Sequence, residues 1–93
     1  MGEISLGDAL RAYLRNSPFR HKMNEYRIQA LWEKEMGKTI SRYTDSLRLV
    51  QGKLLITTHV AALKQELSFS RETIRQRLNE ALGEGVIEEV IIR

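Results

Sequence analysis

The 93-residue sequence has no cysteine, which excludes disulfides, thiolate metal sites and thiol nucleophiles together. Small secreted domains usually depend on disulfide staples, so a reducing, cytoplasmic setting is expected. Long hydrophobic runs are missing too. The apolar stretches are a few residues long, far short of the roughly 20 that span a bilayer. The segment Met1 to Asp8 lacks the cationic start and apolar run of a signal peptide, and Leu6 stands where a myristoylation pattern requires Ser or Thr. Histidine is scarce: His21 and His59 lie far apart with no clustered carboxylates, so each reads as structural or solvent-exposed rather than as a zinc ligand. The glycines spell no Walker loop, nucleophile elbow or dinucleotide fingerprint, and Gly83-x-Gly85, following a helix, reads as a turn. Glu33 and Glu35 straddle Lys34, while Glu88 and Glu89 would point to opposite faces of a strand. Neither pair converges on a substrate. A non-catalytic protein without metal or cofactor is expected.

What is present belongs to an ordinary globular protein. The hydrophobic fraction is 42% and the charged fraction 29%, and 93 residues supply one core, so residues 1–93 are expected to form a single domain. The net charge is +3. All of the excess lies in residues 1–43, with eight Lys/Arg against five Asp/Glu; residues 44–93 hold seven of each. Such a mild bias fits either a weak nucleic-acid binder or a plain solvated surface.

Ser5 is expected to cap a first helix, with Asp8 as an acidic variant of the capping box. Leu6, Ala9, Leu10, Tyr13 and Leu14 repeat at helical spacing and predict one buried stripe. Asn16-Ser17-Pro18 ends this helix, because the residue before proline avoids the α region. A second helix is predicted from about Lys22 to Met36, stopped by Gly37. Ile28, Leu31, Trp32 and Met36 form one apolar strip on it; Met23, Tyr26 and Ala30 form another. A helix apolar on two faces should be sandwiched, here between the first helix and the core. Ile40 and Tyr43 carry the apolar contacts through a short irregular or helical segment.

Two β-favouring runs, Ser46 to Val50 and Lys53 to Val60, flank Gln51-Gly52 and read as a hairpin. Leu47 and Leu49 should share a face, as should Leu54, Ile56 and Thr58. A third helix is expected over about Ala61 to Leu82, with Leu63, Leu67, Ser70, Ile74, Leu78 and Ala81 as its core stripe. Gly83-Glu84-Gly85 ends it, and Val86 to Ile92 reads as a third strand. The fold class is therefore α+β in the order α-α-β-β-α-β. A right-handed crossover makes the third strand parallel to the second, and helices cover one face of a three-stranded sheet.

The remaining functional candidates are basic and aromatic. On one continuous helix Lys64, Arg71 and Arg75 fall within roughly 40° of each other, a face suited to phosphate contact or, equally, a solvated flank. Lys38 and Arg42 could join them. Trp32 reads as a core anchor. Phe69 lies roughly 140° from the core stripe, so either the helix kinks at Ser68-Phe69-Ser70 or Phe69 sits on its back. There it packs against the first helix, the preferred reading, or serves as an exposed partner anchor.

Several features occur in a recognisable order. Trp32-x-x-x-Met36-Gly37-x-x-Ile40 is followed by Tyr43-Thr44, by Gly52-x-Leu54 opening the second strand, by Glu66-Leu67 and Leu78-Asn79, and by Val90-Ile91-Ile92-Arg93. Over residues 22–93 this pattern resembles the DciA family of bacterial replicative-helicase loaders. The resemblance implies a KH-like fold and a role in bringing the replicative helicase to DNA, without catalysis. Some members also bind DNA, often with a C-terminal extension; none follows Arg93 here, so DNA contact is expected to be weak. The G-x-x-G loop by which KH domains clamp nucleic acid is missing, which disfavours RNA binding by that route. Two alternatives stay open beside the helicase adaptor: a KH-like nucleic-acid module, and a small homodimer formed through the open sheet face or the third strand.

Overall fold

A computed structural model describes residues 5–15 and 17–93, without the side chains of Arg11, Leu14 and Arg15. The first helix, α1 (Leu6–Arg15), begins as its sequence suggests, the Asp8 amide donating to Ser5 Oγ at 3.1 Å. Helix α2 (Pro18–Met36) starts earlier than the apolar pattern implied. Ser17 caps it through Arg20 N at 3.2 Å, and Pro18 occupies the first turn, where its missing N–H costs nothing. Gly37, at φ 94°, ends α2, and a short helix α3 (Lys38–Arg42) follows at once, settling the conformation of the Ile40 segment.

Strands β1 (Ser46–Val50) and β2 (Lys53–Thr57) form the expected antiparallel hairpin, with Leu47 opposite Ile56 and Leu49 opposite Leu54. Gln51 and Gly52 both have positive φ, 49° and 81°, the requirement of a two-residue turn matched to strand twist. A Cβ on Gly52 would also collide with the Glu88 carboxylate. Strand β3 (Glu89–Ile92) is shorter than the sequence implied, and it runs parallel to β2 in the sheet order β1-β2-β3.

Two helices, not one, connect β2 to β3: α4 (Ala61–Phe69) and α5 (Arg71–Leu82). The break falls at Ser70, whose amide turns to Leu67 O at 3.0 Å, while Ser68 Oγ donates back to Lys64 O at 2.8 Å. Serine hydroxyls compete for backbone groups in this way and weaken a helix locally. Leu63 and Leu67 on α4 and Ile74 and Leu78 on α5 are buried as the expected stripe requires, joined by Leu82, while Ala81 is exposed and Ser70 only half-buried.

One apolar cluster gathers residues from every described element except α1, with Ile28, Trp32, Leu54, Ile56, Leu67, Ile74, Leu78 and Ile87 at its centre and Leu31, Met36 and Ile40 of α3 packed against it. The opposite sheet face carries Arg48, Leu55 and Ile91 in one row and is not covered by a helix of the described residues. The first helix departs from expectation. Leu6, Leu10 and Tyr13 are 85%, 55% and 71% exposed, so its stripe is not buried; Leu14 lies outside the described side chains. Nor is α2 sandwiched, since Met23, Tyr26 and Ala30 all face solvent. The reason is geometric: α1 extends beyond the core instead of folding back over α2. The long dimension is 57 Å against 21 and 20 Å, and the radius of gyration is 15.5 Å. A compact chain of this length would have about 12 Å.

Candidate functional site

The side chains that hold the sheet together are polar as well as apolar. Along α2, His21, Glu25 and Gln29 recur every fourth residue and so share one face. They meet the outer edge of β1: His21 Nε2 donates to Leu49 O at 2.7 Å, Glu25 accepts the Leu49 amide at 2.9 Å, and Gln29 donates to Leu47 O at 3.0 Å. One helical turn and two strand residues advance by similar lengths, so the two periods stay in step. The Leu49 amide, followed by Arg48, holds the Glu25 carboxyl below its ordinary value. The sequence read His21 only as structural or solvent-exposed and placed no role on Glu25 and Gln29, although their i, i+4, i+8 spacing is visible in it.

Other polar contacts close the fold elsewhere. Asn79 clasps the Ile87 backbone, donating to its carbonyl and accepting its amide, both at 2.9 Å. Trp32 is 2% exposed, and its Nε1 donates to Thr44 Oγ1 at 3.0 Å. Arg20 grips both oxygens of Glu84 at 2.6 Å, and Arg27 donates to Leu82 O at 2.8 Å, tying α2 to the end of α5. Arg20, then Arg27, holds the Glu84 carboxyl below its ordinary value.

The basic candidates lie on three elements: Lys38 and Arg42 on α3, Lys64 on α4, and Arg71 and Arg75 on α5. Arg71 and Arg75 line an open groove of about 450 Å³ beside β3, together with Phe69, Glu72, Glu88 and Glu89. Arg75 is committed to Glu72, its Nε donating to both carboxylate oxygens at 3.0 and 3.1 Å. Lys38 and Arg42 line a separate depression of about 510 Å³ with Glu33, Thr39, Ser41 and Tyr43. Lys64 is exposed and lines neither.

Phe69 is 83% exposed, so the packing against α1 expected for it does not occur: the helix ends at Phe69, and α1 is elsewhere. His59 Nδ1 contacts Asp45 at 3.0 Å on the surface. No group of three or more His, Asp or Glu side chains among the described residues is arranged to hold a metal, and no described helix is long and apolar enough to cross a membrane. Neither of these two grooves is lined by a histidine.

No curated protein matches the chain significantly. A sequence model of one family, described as Dna(CI) antecedent, DciA, matches residues 5–92, nearly the whole length. The residues that carried the resemblance now have structural work: Trp32 and Thr44 bond each other, Gly37 and Gly52 take positive φ, Leu67 and Leu78 are buried, and Asn79 clasps Ile87. Sequence and scaffold agree, and the chain belongs to the DciA family.

Proposed function

We propose that this domain binds the replicative DNA helicase and assists its delivery to DNA as a non-catalytic adaptor. Membership of a family of helicase loaders, not known for catalysis, supports the reading. The observation that carries the choice of surface is the apolar face of the α1–α2 arm. Leu6, Leu10, Tyr13, Phe19, Met23 and Tyr26 are all exposed there. An amphipathic helix without a partner in its own chain presents anchors suited to a groove on another protein, and aromatic side chains are favoured among such anchors. Phe69, exposed at the end of α4, is a second partner anchor. Weak contact with DNA phosphates falls to Lys38, Arg42, Lys64 and Arg71; Arg75 contributes less because Glu72 already neutralises it.

Calorimetric titration against the purified replicative helicase tests this. Leu10→Glu and Tyr13→Ala are each expected to weaken binding about tenfold or more, the usual cost of removing a hot-spot anchor. Thermal unfolding should hardly move, since both side chains are already in water. Wild-type affinity in both variants would remove the arm from the reading, and absence of any helicase binding by the parent protein would remove the function.

A further inference from the structure

The two edges of the sheet are treated differently, and the difference points to a partner beyond the helicase. The edge of β1 is occupied by His21, Glu25 and Gln29, as described above. The edge of β3 has no such cover among the described residues. Glu89 and Arg93 donate their amides to Gly52 O and Ile56 O, and Arg93 O accepts from Thr58 N. By alternation the amides and carbonyls of Val90 and Ile92 turn outward. A row of open backbone groups of this kind is a template for another strand.

We propose that β3 pairs antiparallel with β3 of a second copy of this chain, about a two-fold axis through Ile91. Outward-turned residues must face outward-turned residues, so three registers are possible. The first, Val90 opposite Val90, sets Glu89 against Ile91 and requires the Glu88 backbone, whose amide is already bound to Gly52 O at 2.7 Å. The second, Ile92 opposite Ile92, sets Arg93 against Ile91. Only the third, Val90 opposite Ile92, is complementary along its whole length. It places Ile91 against Ile91 and Glu89 against Arg93 on the open face, twice by symmetry. Glu89 also stands in register with Lys53 within its own sheet, so each row would alternate cation, anion, cation across the junction.

The central row becomes Leu55, Ile91, then Ile91 and Leu55 of the second copy, four apolar side chains that are only half-buried in one copy alone. The groove beside β3 leaves room for the incoming strand, and its rim is of mixed sign: Arg71 and Arg75 against Glu72, Glu88 and Glu89. That balance suits a copy of itself better than a polyanion. The result is a continuous six-stranded sheet with the two β1 edges, each covered by α2, at its ends.

Analytical ultracentrifugation of the intact chain, with amide exchange read residue by residue, tests the pairing. A concentration-dependent dimer is expected. The Val90 and Ile92 amides should exchange about tenfold or more slowly where the dimer dominates. Arg93→Glu sets Glu against Glu and should weaken dimerisation about tenfold or more, while the double change Glu89→Arg with Arg93→Glu restores it. These side chains are exposed, so folding is not at risk, and circular dichroism confirms it. A protein that stays monomeric to about 1 mM overturns the proposal. So does a dimer indifferent to Arg93→Glu, or protection of Val90 and Ile92 only when helicase or an oligonucleotide is added. Helicase affinity measured on the same variants separates this outcome from the fate of the arm.

Discussion

At the scale of single residues, the positions that identify the family are mostly scaffold. Trp32 was legible as a core anchor, because a large aromatic on the strip with Ile28 and Leu31 has nowhere else to go. Asn79 was legible only as a marker. Its role depends on Ile87 arriving beside it through the Gly83 turn, and no local pattern announces that. Ile87 is 1% exposed, so its amide and carbonyl have no access to water if Asn79 is lost. Asn79→Ala should therefore cost about 1–3 kcal/mol for each group left unpaired. In a domain of this size each 1 kcal/mol lowers the melting temperature by roughly 4–8 °C. A thermal melt checks this, and a fall of less than about 3 °C would show that Asn79 is not holding the strand entry.

At the scale of elements, periodicity succeeded where an element is buried on one side. The buried faces of the hairpin, the Ile28–Trp32 strip of α2 and the buried Leu63, Leu67, Ile74 and Leu78 followed from it. It misled for α1, whose spacing is as regular as that of α2 but whose stripe meets solvent. An amphipathic pattern states that a face needs covering and is silent about which molecule covers it. Removing residues 1–15 should leave the core intact. The melting temperature is expected to shift by no more than a few degrees, roughly the effect of a surface change, while far-ultraviolet dichroism loses about one helix. Cooperative unfolding that disappears on truncation would mean that α1 belongs to the core after all. The break at Ser70 is the kink that the sequence offered as one account of Phe69, and it leaves Phe69 exposed at the end of α4.

At the scale of the whole molecule, a half-buried acid–backbone contact and an exposed acid–arginine contact contribute to the response to acid. Glu25 is held down chiefly by the Leu49 amide and Glu84 chiefly by Arg20, both from an ordinary value of 4.5. A depressed folded value means that the unfolded chain binds more protons between the two values. The stability these groups supply is thus complete above about pH 4.5 and is lost as pH falls through their folded values. Glu84 is 41% exposed, so solvent screening limits its share to at most about 1 kcal/mol. Urea unfolding from about pH 6 to pH 3 should show stability falling at the acid end, with a shallower fall in Glu25→Gln with Glu84→Gln. An acid limb unchanged by that double substitution would assign the loss to other carboxylates.

The sequence by itself determined the class of fold, the hairpin and its buried faces, the parallel third strand and the family, because each follows from local spacing or from residue types that only one backbone geometry accepts. The tertiary structure decided which apolar faces were left over, which edge of the sheet was covered, and how the basic residues were shared among surfaces. Those outcomes depend on how elements distant in the chain compete for the same partners. Spacing within one element cannot encode that competition.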